Sequence, residues 1–592
     1  MRTARARSHR FSSFRSFPST VSAAALLLLP ALVAPSARAA ASAPAAAREG
    51  MVVTSQADAT RAGVAMLEAG GNAVDAAVAA AFALGVTQPF SAGIGGGAFL
   101  LIRLPDGEVV TIDARETAPA AAERDMYVRP GVAEDASLAG PLAVGTPGLV
   151  LGLAAALELY GRLSLEEVMK PAIRLAARGF AIGPHHAEML EHMRARGLPE
   201  RFPETGRIQF PPPAAPAEPG WRLVQADLAG TLRRIARDGP EAFYTGPIAR
   251  AIADDLAKRG GLVSAEDLAD YELRFREPVR GAYRGYDVHA FPPVSSGGVA
   301  LIEMLNILEG FDLARSGAGS SASLHRIAEA MKFAFADRAA YLGDPDFVDV
   351  PVAALTAKAY GERLRAKINP PRWRRAPWTW GRRETAVKVR GPGLPQDDSG
   401  TTHLSTTDAL GNAVALTMTI NTPFGSGITV PGTGILLNNE MDDFAKAPDT
   451  PNVYGLVDTR GANAIAPGKR PLSSMTPTVV TKGGELFMVT GSPGGPRIIS
   501  TVLLTLVNVV DYGMNPQQAV SAPRFHHQWL PDELFVEPAV PADVVRGLER
   551  RGHAVTVSQR NWSAAEVIVV DPETGWHLGG SDPRRDGLAF GK

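Results

Sequence analysis

Apolar residues along the chain recur with two periods, a helical one and an alternating one, and their order predicts the architecture. Residues 55–86 carry helical spacing, with Asp58 or Thr60 as a candidate cap and Gly70-Gly71-Asn72 as a break between two helices. Residues 98–104 and 109–112, joined by Pro105-Asp106-Gly107, predict a strand hairpin whose outgoing arm delivers Arg115 and Glu116. Helical spacing returns over 145–180, stopped by Gly179, and over 225–260 as two helices around Gly239-Pro240. Residues 283–290 read as a strand, and 296–308 and 323–342 as helices. Past Thr401 the texture turns to strands at 402–407, 413–420, 476–481 and 486–490, with helices at 500–510 and 541–551. Strands and helices in both halves suit an α/β fold with sheets sandwiched between helical layers. Residues 196–221, with Pro211-Pro212-Pro213, and 367–400 show little periodicity and are expected to be surface loops.

Residues 1–39 stand apart. Arg2, Arg5, Arg7, Arg10 and Arg15 precede an apolar stretch from 21 to 33, and Ala37-Arg38-Ala39 offers a small-x-small cleavage site. That is the pattern of an export signal, and the apolar run is too short to span ~30 Å of hydrocarbon. The mature protein is therefore expected to be periplasmic or secreted, without a membrane anchor.

Composition narrows the chemistry. A chain of 592 residues with 45% hydrophobic and 20% charged residues can build a large soluble core. Its net charge of -1 offers no field for nucleic acid, even though Arg372 to Arg375 with Trp373, Trp378 and Trp380 imitate a basic-aromatic stripe. Cysteine is absent, which removes disulfides, thiolate catalysis and cysteine-bound metals. His185, Glu188 and His192 share one helical face but match no metal-ligand spacing, and they read as a solvated face. Gly93-Ile94-Gly95-Gly96-Gly97 follows a helix and opens a strand, the reverse of a dinucleotide-binding turn, so no nucleotide site is expected. No metal or cofactor is expected.

The remaining candidate is Asp397-Asp398-Ser399-Gly400-Thr401-Thr402-His403. An internal threonine hydroxyl lacks a base, whereas an N-terminal threonine carries an α-amine with a pKa of ~7.7 to 8.0. Cleavage after Gly400 would create one. Pairing the flanking strands about the turn from Asp408 to Asn412 sets Thr401 opposite Thr419, with Cβ atoms ~4.5 to 5.5 Å apart. Thr417 and Asn421 would share the face of Thr419. Gly491-Ser492-Pro493-Gly494-Gly495 after a strand can present backbone N–H groups to an oxyanion, and it equally fits a plain turn. His403, His526 and His527 are read as structural, because the amine already supplies a base.

Gly400-Thr401-Thr402-His403, Asn438-Asn439-Glu440-Met441-Asp442-Asp443-Phe444, Pro471-Leu472-Ser473-Ser474-Met475 and Gly491-Ser492-Pro493-Gly494-Gly495, in that order, resemble the gamma-glutamyltransferase family. The likeness runs from about residue 55 to 591. It implies an N-terminal-nucleophile αββα fold, and a precursor cut into a large subunit (40–400) and a small catalytic subunit (401–592) that form a heterodimer. It also implies gamma-glutamyltransferase and glutathione hydrolase activity through a γ-glutamyl ester on Thr401, resolved by water or by an amino acid or peptide amine. By the same correspondence Thr401 is the nucleophile, Thr419 assists it, and the Gly494 and Gly495 amides form the oxyanion hole. Arg115, Ser473 and Ser474 match residues that bind the α-carboxylate, and Asn421, Glu440 and Asp443 those that bind the α-ammonium. Residues 445–457 resemble a lid with Tyr454 at its gate. Within the family the stretch from Gly93 to Gly97 lies close to the site, which implies close backbone packing there. Two rival readings remain: a cephalosporin or glutaryl acylase of the same superfamily, and an uncut protein that binds amino acids or peptides without catalysis.

Overall fold

The computed structural model describes residues 42–592 apart from 214, 369–399 and 449. The predicted export signal and the basic-aromatic segment with Trp373, Trp378 and Trp380 lie outside the described residues. Two antiparallel sheets stack face to face. One orders its strands Leu588–Gly591, Gly50–Thr54, Thr401–Asp408, Ala413–Thr419, Gly97–Arg103 and Val109–Ala114. The other runs Ala45–Ala47, His577–Ser581, Glu566–Val570, Glu485–Gly491, Thr478–Lys482, Tyr286–Ala290 and Val279–Tyr283.

Side-chain parity along the strands sets the layers. Even-numbered Leu404, Val414, Leu416 and Met418 join Leu100 and Ile102 beneath the helices Ala57–Glu68, Ala73–Thr87 and Leu165–Arg178. Odd-numbered Ala413 and Ala415 join Leu101 against Val479 and Val489 of the facing sheet. Helix Ala73–Thr87 is buried at every position, which explains its uniformly apolar sequence, and Asn72 and Asp75 close a capping box at its start. The outer face of the seven-stranded sheet, through Val288, Val480, Met488 and Val567, packs on helices Gly297–Leu308, Ser321–Tyr341 and Arg497–Val510. The αββα expectation holds.

Odd parity also places polar groups between the sheets, and each finds a partner there. His403 bonds Thr417 Oγ1 through Nδ1 at 2.8 Å and Ser405 Oγ through Nε2 at 3.1 Å. Burial pushes its pKa down to about 3, so the ring is neutral.

Three expectations need correction. Residues 283–290 are not one strand: Arg284 (φ 54°) and Gly285 (φ 82°) form a two-residue turn between strands Val279–Tyr283 and Tyr286–Ala290, with the paired positive φ values of a tight hairpin. Residues 196–221 are not simply loop, because Leu198–Arg201 and Pro203–Gln209 are helices docked through Leu198, Ile208 and Phe210. Pro199 and Pro203 occupy the first helical turn, where a missing N–H costs nothing, while Pro211-Pro212-Pro213 lie beyond both helices. The face of His185, Glu188 and His192 on helix Pro184–Ala195 is only partly solvated: of the three, Glu188 is exposed while His185 and His192 are half-buried, and they line a cavity of about 440 Å³ with Trp562, Arg584 and Arg585. Among the described residues, no helix is long and apolar enough to cross a membrane.

Candidate active site

Thr401 opens its strand directly opposite Thr419, the register expected from the hairpin. Their hydroxyl oxygens are 2.9 Å apart. Thr419 Oγ1 donates to the Gly400 carbonyl oxygen at 2.9 Å and accepts the Asn421 N–H at 2.8 Å. A hydroxyl has one proton to give, so the Thr401 hydroxyl is the donor in the threonine pair. The Gly400–Thr401 peptide thus has a polarised carbonyl beside a hydroxyl already hydrogen-bonded toward a base. On its other side the Thr401 carbonyl accepts from Arg585 Nη1 at 3.0 Å.

Glycine at 400 is a steric requirement. A Cβ there would lie 1.8 Å from the Asn421 carbonyl oxygen. Asn421 itself is left-handed (φ 75°), a conformation that asparagine tolerates, and its Nδ2 donates to Asn439 O at 2.9 Å. The Gly95-Gly96 stretch is equally close-packed, since a Cβ on Gly96 would meet the Thr419 carbonyl at 2.0 Å. These glycines admit backbone to the site and form no nucleotide cradle.

Thr401, Thr419, Arg115, Asn421, Glu440, Asp443, Tyr454, Ser473, Ser474 and Gly495 line one cavity of about 20 Å³. That holds roughly one water. Strand Val109–Ala114 delivers Arg115, whose buried guanidinium bonds the Glu440 and Asp443 carboxylates and donates through Nε to Pro471 O at 3.2 Å. Arg115 and the two acids, assigned by resemblance to opposite ends of a substrate, are therefore paired with each other here. Burial raises the pKa of Glu440 and of Asp443 despite the attraction of Arg115. Glu440 Oε2 has no hydrogen-bond partner among the described residues. Asn438 fixes the acidic turn, donating to Gly95 O and Gly145 O and accepting the Glu440 N–H at 3.0 Å.

Two groups at the site were given no role from the sequence, although the hairpin already placed Glu116 beside Arg115. Glu116 is fully buried 3.7 Å from Arg115, and burial raises its pKa to about 7. Arg338, on helix Ser321–Tyr341, donates through Nε to Ser296 Oγ at 3.1 Å, and Ser296 Oγ donates in turn to Ser473 O at 2.7 Å. A polar residue on an otherwise apolar helix face was the available signal for Arg338.

The lid is shut. Tyr454 OH lies 2.9 Å from the Asn421 carbonyl oxygen and 2.8 Å from its Oδ1, and its one proton is shared between the two acceptors. A Cβ on Gly495 would sit 2.7 Å from the Tyr454 ring, and Gly495 (φ 53°) and Gly494 (φ 134°) both need the conformational range of glycine.

A family model described as Gamma-glutamyltranspeptidase matches residues 59–591. The chain is 47% identical over 544 residues to the glutathione hydrolase proenzyme of Escherichia coli (strain K12), covering 91% of each. It is 41% identical to the acylase ACY 1 proenzyme of Pseudomonas sp. (strain V22), covering 92% of this chain and 94% of that one. Among solved structures, it resembles the cephalosporin acylase of Bacillus halodurans with a TM-score of 0.78 and 30% identity, over 96% of this chain and 99% of that one. With threonine pair, polarised glycine carbonyl and buried Arg–carboxylate cluster all placed inside the matched region, the chain belongs to the gamma-glutamyltranspeptidase family.

Proposed function

We propose that the chain is a gamma-glutamyltransferase and glutathione hydrolase that matures by cutting itself between Gly400 and Thr401. The observation that carries this reading is the hydroxyl relay of Thr401, Thr419 and the Gly400 carbonyl, with both links at 2.9 Å. Thr401 Oγ1 attacks the Gly400 carbonyl carbon and passes its proton toward Thr419, while the Thr419 hydroxyl supports the developing oxyanion. Thr419 returns that proton to the Thr401 nitrogen as the C–N bond breaks, which moves the acyl group onto Thr401 Oγ1 and frees the α-amine. Water then releases Gly400 as a carboxylate, leaving large (40–400) and small (401–592) subunits.

In turnover the amine activates Thr401 Oγ1 for attack on a γ-glutamyl carbonyl, and the Gly494 and Gly495 amides receive the oxyanion. Binding exchanges ion pairs. The substrate α-carboxylate takes Arg115 with Ser473 and Ser474, and its α-ammonium takes Glu440 and Asp443 with Asn421, so no buried charge is left alone. A 20 Å³ cavity is too small for this group, so Tyr454 must release Asn421 on entry. The γ-glutamyl ester is resolved by water or by an amino acid or peptide amine, without a cofactor.

Denaturing electrophoresis tests the reading. Wild type should give two chains, the shorter beginning Thr-Thr-His-Leu, and Thr401→Ala one. A single wild-type band without activity would favour the uncut binding protein. An acylase reading draws on the acylase-named relative, but buried Glu440 and Asp443 suit an ammonium that glutaryl amides lack. Competition between glutathione and a glutaryl amide decides, with preference for the amide excluding our assignment. Export through residues 1–39 to the periplasm or medium is checked by sequencing the N-terminus of the large chain.

A further inference from the structure

Among the described residues, one group of three metal-binding side chains gathers outside the Thr401 cavity: His325, Glu329 and His553. His325 and Glu329 sit four apart on helix Ser321–Tyr341 and so share a face, while His553 arrives from the segment after helix Ala542–Glu549. We propose that these three residues form a divalent transition-metal site, with zinc as its ligand.

The donor set of two imidazoles and one carboxylate is one that zinc uses, with a fourth position left open. His325 Nδ1 lies 2.8 Å from His553 Nε2, which is 3.9 Å from Glu329 Oε1, and all three donor atoms fall within 4.8 Å of one another. Tetrahedral zinc with bonds of ~2.0 to 2.1 Å wants its donors roughly 3.3 Å apart. The observed spacings bracket that value, so small side-chain shifts suffice. All three residues are buried, so a bound ion would be shielded from bulk water. His553 Nδ1 has no hydrogen-bond partner among the described residues, so the contact with His325 leaves the ring half satisfied.

Lys332 is the present counter-charge. Its Nζ stands 3.3 Å from Glu329 Oε1 and 3.0 Å from Asp532 Oδ1, and Asp532 is exposed. A dication can take over Glu329 while the ammonium keeps Asp532. Arg338 lies nine residues beyond Glu329 on the same helix, about 14 Å at 1.5 Å per residue, so the ion would not touch the Thr401 chemistry. His325 and Glu329 precede residue 400 and His553 follows it. If the proposed cut is made, the ion joins the two chains; this last step alone rests on the functional reading.

The test uses full-length protein stripped with a chelator, then zinc alone, with cobalt(II) as a spectroscopic probe. Wild type should retain one equivalent of zinc after dialysis, melt several degrees higher with it, and give the visible absorption of tetrahedral cobalt. His553→Ala and Glu329→Gln should each weaken binding by more than the ~10- to 100-fold typical of changes to outer-shell groups. Lys332→Met, which removes a competitor and no ligand, should tighten binding, and it decides the matter if His553→Ala fails to fold. Uncut Thr401→Ala should bind as wild type does, separating this site from the cleavage reading. Absence of zinc from wild type, or equal retention by wild type, His553→Ala and Glu329→Gln, overturns the proposal.

Discussion

Replacing Gly400 with alanine should arrest maturation while leaving the fold intact. The added Cβ would stand 1.8 Å from the Asn421 carbonyl oxygen and 2.5 Å from the Thr422 Cα, both backbone atoms that no rotamer change can clear. Relief needs the two backbones to part by more than about 1 Å, and overpacking of this kind costs ~1 to 3 kcal/mol. The same movement lengthens the 2.9 Å bond from Thr419 Oγ1 to Gly400 O past hydrogen-bond range. A displacement of about 1 Å at reacting atoms can lower a rate ~100-fold, so self-cutting should slow at least that much. Purified precursor sampled over time on denaturing gels gives the rate, and thermal melting checks that the variant is folded. Gly93→Ala is the control, because nothing lies within 4 Å of a Cβ there and cutting should proceed normally. Wild-type cutting by Gly400→Ala would refute the claim that close approach at Asn421 positions the scissile carbonyl.

Arg115→Met should leave Glu440 and Asp443 buried without their cation, at ~3 to 5 kcal/mol, and should raise KM for γ-glutamyl anilides far more than it lowers the yield of cut chain. Tyr454→Phe removes both bonds that hold the lid on Asn421, so the ratio of hydrolysis to transfer, read from glutamate against dipeptide product, should rise. Burial, with Arg497 nearby, pushes His526 down to about 3, against ~6.5 unfolded. The stability this neutral histidine contributes is complete above pH ~6.5 and is lost as pH falls toward 3. Between pH 6.5 and 5 wild type should therefore lose about 2 kcal/mol more than His526→Gln, measured by denaturant melts at each pH.

Much of the site was legible because it rests on local geometry. Alternating texture on both sides of the turn from Asp408 to Asn412 fixes which threonine faces Thr401, and strand parity then turns both into the space between the sheets. The context of the glycines at 95 and 96, between helix and strand, excluded a nucleotide site, whereas their close packing was expected only through the family resemblance. What escaped depends on partners 42 to 328 residues away. No local pattern ties Arg115 to Glu440 and Asp443, Arg338 to Ser296, Arg585 to the Thr401 carbonyl, or His553 to His325. Position also outweighed composition at Pro199 and Pro203, which begin helices, and at His185, which is half-buried.

The strand order carries a last consequence. Both sheets combine segments from before and after residue 400: in one, Gly50–Thr54 lies between Leu588–Gly591 and Thr401–Asp408, and in the other, strands from before residue 400 flank four from after it. Severing the backbone ahead of Thr401 would leave two polypeptides woven through each other, unable to part without melting both sheets. Such a pair should denature in one concerted step and re-form only in a concentration-dependent reaction, if at all. The uncut precursor, a single polymer, carries no such penalty; the nick would thus convert a reversible folder into one whose persistence is governed by its unfolding rate.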